Sequence, residues 1–220
     1  MEPVMEPFRL CIALCPLAAY FLLLGLLNLS RRPWLTTGSK DLALLAAAVA
    51  GLAVVGPMEL FMPQAAVDRF GIYVWALLLA FYGLVVSFIA LLARPKLIIY
   101  NITFDELRPV LGELVGKLDS DARWAGDGLL LPNLGVQLHV DGFPSMRNIS
   151  LVASGDRQSF AGWRKLELTL AESLRGTQVQ FNPRGLSMVT FAVLLIALCL
   201  IHGLGNKQAL VQGFHDLLNR

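Results

Sequence analysis

Four long stretches of the chain contain no Asp, Glu, Lys or Arg. They run over residues 10–30, 42–58, 70–93 and 185–206. The hydrocarbon core of a bilayer is about 30 Å thick, and a helix needs roughly 20 predominantly apolar residues to cross it. The pattern therefore predicts four transmembrane helices, three before residue 96 and one near the C-terminus, over residues 10–30, 42–62, 70–93 and 186–205.

The second of these segments has the weakest signal. Gly51, Gly56 and Pro57 interrupt it, and its charge-free part is only 17 residues long. It extends to Met62 if Glu59 lies near the headgroup layer, where an ionisable side chain is tolerated. Whether this segment crosses the membrane completely is the point on which the four-helix topology depends.

A water-soluble pattern begins at Pro95 and continues to the fourth apolar segment. Residues 94–184 carry 11 Lys or Arg and 10 Asp or Glu, and about 90 residues are enough for a small core. The patterns in this region follow the order strand, helix, two to three strands, helix. The predicted elements are a strand at 97–100, a helix after a Thr103–Glu106 capping box, strands at 136–140 and 148–153, a helix at 160–174 and a last strand at 179–181.

Two further signals shape this region. Asp127-Gly128 and Asp141-Gly142 are dipeptides typical of hairpin turns, and Pro109 favours either a kink or a later helix start. We therefore expect an inserted α+β domain over residues 96–185, with a mostly antiparallel sheet and two helices on one face. The remaining parts are a membrane domain at 1–95, the fourth span at 186–205 and an amphipathic tail at 206–220.

Composition agrees with a membrane protein. Hydrophobic residues make up 56% of the chain, charged residues 15%, and the mean hydropathy is +0.63. A soluble domain is nearer 25% charged, so a wholly soluble or disordered chain is excluded. The net charge of +2 gives no basic field for nucleic acid, and three cysteines are too few for a disulfide framework.

The positive residues beside the apolar segments predict the orientation. Lys and Arg are enriched in the cytoplasmic loops of membrane proteins. With four spans, six cations fall on one side and four on the other; the six are Arg31, Arg32, Lys40, Arg94, Lys96 and Arg184. This places the first loop and residues 96–185 in the cytoplasm and both termini outside, in a membrane taken to be of the bacterial inner-membrane type.

Cysteine and histidine give no recognisable ligand pattern. Cys11 and Cys15 share one face of the first helix, but Cys199 lies far away in the chain, and intramembrane cysteines are usually apolar fillers. His139 and His202 have no partner at metal-ligand spacing. The sequence also lacks a phosphate-binding loop, a nucleophile elbow and a zinc-protease motif, so no catalytic, cofactor or metal residue is assigned and the chain is not expected to be an enzyme.

Glu59 is the one tentative functional residue. It lies between Pro57 and Pro63 among apolar side chains, and an ionisable group within a span often marks an ion or proton path. The competing interpretation is an interfacial carboxylate that reaches water from the end of the helix. A single carboxylate without a visible partner makes a weak transport site.

The function expected from these patterns is non-enzymatic. We predict a small integral membrane protein that serves as an accessory, scaffold or sensor subunit through protein contacts of its cytoplasmic domain. Its partners are the bilayer and either another protein or further copies of the chain, without nucleic acid or an evident small-molecule ligand. The alternative is a small transporter or channel subunit that uses Glu59.

Overall fold

A computed structural model describes residues 7–58, 60–62, 69–144, 146–156, 158–205, 208 and 211. Its helices are α1 (Pro7–Leu29), α2 (Gly38–Ala53), α3 (Tyr73–Leu92), α4 (Phe104–Leu118), α5 (Phe160–Arg175) and α6 (Arg184–Gly205). Its strands are β1 (Trp34–Thr37), β2 (Lys96–Tyr100), β3 (Arg123–Ala125), β4 (Gly128–Leu131), β5 (Val136–Phe143) and β6 (Asn148–Ala153). They form two compact units, one of apolar helices and one, Gly25–Asp41 with Leu92–Leu186, that contains the sheet.

Four helices are long and apolar enough to cross a membrane, as predicted. They are Pro7–Leu29, Gly38–Met58, Tyr73–Leu92 and Arg184–Gly205. The second apolar helix continues past Gly56 and Pro57, because α2 is followed directly by a π-helical turn, Val54–Met58, which contains Pro57. A wider turn changes the backbone pairing at the place where proline supplies no N–H. The amphipathic tail predicted at 206–220 lies almost entirely outside the described residues.

Small residues set the packing of α1 and α2 in the first unit. A side chain at Gly51 would place its Cβ 1.9 Å from the backbone carbonyl oxygen of Ile12. Ala46 and Ala48 are buried on the same helix, and the Tyr82 hydroxyl donates a hydrogen bond of 2.7 Å to the Ala46 carbonyl. Close approach through small residues is the usual mode of helix packing in membranes, and the sequence pattern indicates it for this segment.

The second unit contains one six-stranded sheet in the order β1-β2-β6-β5-β4-β3. All neighbouring strands are antiparallel, which confirms the predicted sheet type. The strand β1, like β3 and β4, has no counterpart among the predicted elements. It lies in the loop between the first two apolar helices and pairs with β2, with Trp34 opposite Tyr100 and Thr37 opposite Leu97. Four residues are too few to show a strand pattern, so this strand depends on its tertiary partner.

Both helices of the second unit cover the same face of the sheet, as predicted. Leu107, Leu111 and Leu114 of α4 and Leu166 and Leu170 of α5 are buried in one core. The inward side chains of the strands complete that core, among them Leu97, Ile99, Leu129, Leu131, Leu138, Val140, Ile149 and Leu151. The unit is therefore a two-layer α+β sandwich.

Two local expectations within the domain are wrong. Asp141-Gly142 is not a turn, because Asp141 pairs with Ser150 and Gly142 with Ile149 inside the β5–β6 ladder. The chain reverses later, before Arg147, which has a positive φ of 52°. The segment at 179–181 forms no strand; instead the Val179 amide donates to the Arg31 carbonyl at 3.1 Å.

The capping box of α4 is confirmed. The Thr103 side chain accepts from the Glu106 amide, and the Glu106 carboxylate accepts from the Thr103 amide. The helix therefore begins at Phe104 and contains Pro109, so the later start considered for this helix does not occur. Reciprocal capping satisfies two backbone donors at the N-terminus and fixes the helix start ahead of the proline.

Candidate functional site

The three cysteines of the chain lie together in the first unit. Cys11 and Cys15 are one turn apart on α1, and Cys199 is on α6; all three Sγ atoms are within 4.8 Å of one another. Cys199 is buried, Cys11 is half-buried and Cys15 is exposed. The Cys11 thiol donates to the Cys199 carbonyl at 3.9 Å. We call these three residues the thiol cluster.

The close pairing of α1 and α6 produces this cluster. The Phe21 and Phe191 rings meet edge to face, with centroids 5.0 Å apart. Ala18 and Ala192 are fully buried, so small residues accompany the aromatic contact. Spacing showed that Cys11 and Cys15 share a face, but only helix pairing brings Cys199 to that face.

A second polar group lies in the α+β domain around Glu106. The Arg147 Nη2 atom is 2.8 Å from one Glu106 carboxylate oxygen and 3.0 Å from the other. The backbone N–H of Gln180 donates to the same carboxylate at 3.3 Å. Burial raises the pKa of Glu106, but the hydrogen bonds from Thr103, Gln180 and Arg147 outweigh burial and hold that pKa below its ordinary value. The charged carboxylate thus ties together three separate segments of the domain.

Buried asparagines join the same region. Asn28 and Asn182 are each 2% exposed, and the Asn182 Nδ2 donates to the Asn28 Oδ1 at 2.9 Å. Asn101 is fully buried with a positive φ of 59°. Its side-chain Nδ2 donates to the Ser30 carbonyl. These contacts connect the end of α1 with the β2–α4 loop and the segment before α6. No local sequence pattern predicts these side-chain contacts, because Asn28 and Asn182 are 154 positions apart in the chain.

Asp119 also differs from expectation. Asp119 and Asp121 lie in a turn beside Arg123 in the sequence, which favours a solvated loop, yet Asp119 is 3% exposed. It accepts hydrogen bonds from the Asn133 amide at 2.8 Å and from the Asn133 side chain at 2.7 Å. Burial raises the pKa of Asp119, and the hydrogen bonds from Asp121, Asn133 and Leu134 lower it further than burial raises it. Asp119 is therefore a structural anchor for the loop before β5.

The remaining candidates are Glu59 and two histidines. Glu59 lies outside the described residues. His139 is exposed on the polar side of β5, as its alternation predicted. His202 is exposed near the end of α6, where its Nδ1 is 3.2 Å from the Leu198 carbonyl oxygen. Neither histidine belongs to the thiol cluster.

Among the described residues, one part of the sheet has an uncovered face. On β5, the exposed side chains alternate with buried Val136, Leu138 and Val140. By register, Leu130 lies on the exposed side next to Gln137. We call this surface the open face; it consists of Leu130, Gln137, His139, Asp141 and Phe143.

The same side of the sheet is covered at β2. Ile98 lies in one row with Ser150 and Asp141, yet it is only 6% exposed. Tyr100 is 8% exposed, and its hydroxyl donates to the Asp41 carboxylate. On this side of the sheet, the side chains at β2 are thus buried, whereas those at β4 and β5 are exposed.

Comparison of the chain with protein-family models, with curated proteins and with solved structures gives no match. A function for this chain therefore has to be inferred from its own geometry.

Proposed function

We propose that this chain is an integral membrane accessory or sensor protein that acts by binding a protein partner through its α+β domain. The observation that carries the proposal is the open face. Leu130 and Phe143 are 40% and 60% exposed there, beside the polar side chains of Gln137, His139 and Asp141. Contact surfaces between separately folded proteins have this mixture of apolar and polar groups.

The charge of the domain favours a protein over a nucleic acid. Eleven cations and ten anions over residues 94–184 leave no extended field of one sign, and phosphate backbones are bound mainly by such fields. The open face itself carries one carboxylate, one imidazole and one amide. Such a surface suits a partner with matching apolar patches and hydrogen-bonding groups.

We further propose that the first loop and the α+β domain share the cytoplasmic side, with both termini outside, in a membrane of the bacterial inner-membrane type. The pairing of β1 with β2 supports the shared side, because two strands of one ladder lie in the same compartment. The cations that flank α1, α3 and α6 support the cytoplasmic assignment.

Labelling with a membrane-impermeant thiol reagent tests this topology. In a background without the native cysteines, Ser39→Cys and Asp141→Cys, both at exposed positions, should be labelled only after the cytoplasmic side is opened. Gln208→Cys, beyond α6, should react in intact cells because four crossings return the chain to the outside. Labelling of Ser39→Cys and Asp141→Cys from opposite sides would contradict the topology.

Site-specific photo-crosslinking tests the partner. A photoreactive residue at His139, in the full-length protein in native membranes, should yield a discrete crosslinked product. The matched control is Leu168 on α5, which is 56% exposed but lies on the helical layer. Leu130→Glu should reduce the His139 product by about tenfold or more, because a carboxylate replaces an apolar contact at the interface, whereas Leu168→Glu should leave it unchanged.

The outcomes separate this function from its alternatives. A product of twice the chain mass identifies the partner as a second copy. Equal products from both positions, or a His139 product that Leu130→Glu leaves unchanged, would contradict the proposal. Ion flux in liposomes that Glu59→Gln abolishes would favour the transporter function instead.

A further inference from the structure

We propose that the thiol cluster is a binding site for a soft monovalent metal ion, Cu(I). Three sulfur ligands converge from two helices, and the cluster contains every cysteine of the chain. Thiolate sulfur is a soft ligand that selects Cu(I), zinc or iron–sulfur clusters over hard cations. The choice among these metals follows from the number and the spacing of the donors.

The spacing of the sulfur atoms is close to that of a three-coordinate site. A metal bound to three sulfurs in one plane at about 2.3 Å requires sulfur atoms about 4.0 Å apart. The Sγ atoms of Cys11, Cys15 and Cys199 lie within 4.8 Å of one another. Small side-chain rotations therefore close the site without movement of either helix. The hydrogen bond from the Cys11 thiol to the Cys199 carbonyl is exchanged for the bond to the metal.

The number of ligands favours Cu(I) over zinc. Structural zinc sites are almost always tetrahedral and need a fourth ligand. Among the described residues, no histidine or carboxylate joins the three cysteines. Cu(I) accepts three sulfur ligands in a plane, and iron–sulfur clusters require more cysteines than this chain has.

Binding requires no electron transfer. Each thiol that binds as a thiolate releases one proton to the solvent, and copper remains Cu(I) throughout.

The cluster is close to the ends of its helices. Cys11 and Cys15 are the fifth and ninth residues of α1, and Cys199 is six residues before the end of α6. At 1.5 Å per residue, the sulfur-bearing positions are about 6–12 Å from the helix ends. A metal ion that binds the cluster therefore has to pass only about 6–12 Å along the helices from their nearer ends and does not have to cross the membrane.

Cu(I) titration of the full-length protein tests the site. The protein is purified in detergent, fully reduced and kept without oxygen, and it competes for Cu(I) with a chromophoric chelator. About one copper per chain should bind. Cys15→Ser should weaken binding by about tenfold or more, since it removes one of three ligands, and the double variant Cys11→Ser with Cys15→Ser should abolish it. Ala19→Ser, at an exposed position one turn further along α1, should have no effect.

Folding controls keep the test decisive. Cys15 is exposed, so its replacement should leave the helical content and the thermal unfolding of the protein unchanged; Cys199→Ala serves as the variant for the buried position. Copper binding that survives replacement of all three cysteines would overturn the proposal, as would absence of binding to the folded parent protein. Tighter binding of Zn(II) than of Cu(I) would overturn the assignment of the metal.

Discussion

Replacing Trp163 by alanine should lower the free energy of unfolding of the α+β domain by about 3–5 kcal/mol. Trp163 is 5% exposed in the core between α5 and the sheet. Its indole N–H also donates to the Gln158 side chain at 2.9 Å, and Gln158 donates to the Gln137 and Ser154 carbonyls. Truncation thus leaves a cavity and removes one bond from the network that holds the segment before α5.

Urea-dependent proteolysis of the full-length protein in detergent measures this loss. In the Trp163→Ala variant, the protease should cleave the domain at a clearly lower urea concentration than it does in the parent protein. Trp124→Ala is the matched control, because Trp124 lies on the edge strand β3 and is 43% exposed; it should cost about 1 kcal/mol or less. Equal losses for the two tryptophans would contradict the placement of Trp163 in the core.

A second large loss of domain stability is expected on substitution of Gly162, the residue before Trp163. A Cβ added at Gly162 would lie 2.1 Å from the Leu134 carbonyl oxygen and 2.8 Å from Val136 Cγ2. The first of these atoms is backbone and moves only with the strand that follows it. Gly162→Ala should therefore destabilise the domain by about 3 kcal/mol, at the upper end of the usual cost of overpacking.

Gly112→Ala is the control substitution, and we expect it to change the stability of the domain in the opposite direction. It lies inside α4, and a Cβ there would meet nothing within 4 Å. Gly112→Ala should stabilise the domain by about 0.5–1 kcal/mol, because alanine loses less backbone entropy than glycine in a helix. The same proteolysis experiment compares the two variants. A Gly162→Ala protein as stable as Gly112→Ala would show that α5 and Leu134 are not in close contact.

The features predicted well are those that a few consecutive residues determine. The apolar helices follow from long runs without charged residues, and the start of α4 follows from the reciprocal Thr103–Glu106 cap. The inward alternation of β5 and the amphipathic pattern of α5 are enough to assign the side chains that these two elements contribute to the core. Each of these signals comes from local periodicity or local hydrogen bonding.

The features that were missed depend on partners distant in the chain. A turn dipeptide, Asp141-Gly142, became part of a strand because ladder pairing with Ile149 and Ser150 outweighs a local turn preference. Asp119 has the sequence pattern of a solvated carboxylate, because its main partner, Asn133, is 14 residues away. Local propensity is a weak prior where tertiary contacts compete with it.

By itself, the sequence determined that the chain has four helices suited to a membrane and an inserted α+β domain, because hydrophobic runs and periodicity are properties of neighbouring residues. Tertiary structure alone decided that Trp34–Thr37 adds a sixth strand to the sheet, since that strand pairs with residues about 60 positions away. It also decided that Cys199 meets Cys11 and Cys15, which lie far earlier in the chain. Neither contact leaves a local signal, because its energy is gained only after the chain has brought the two segments together.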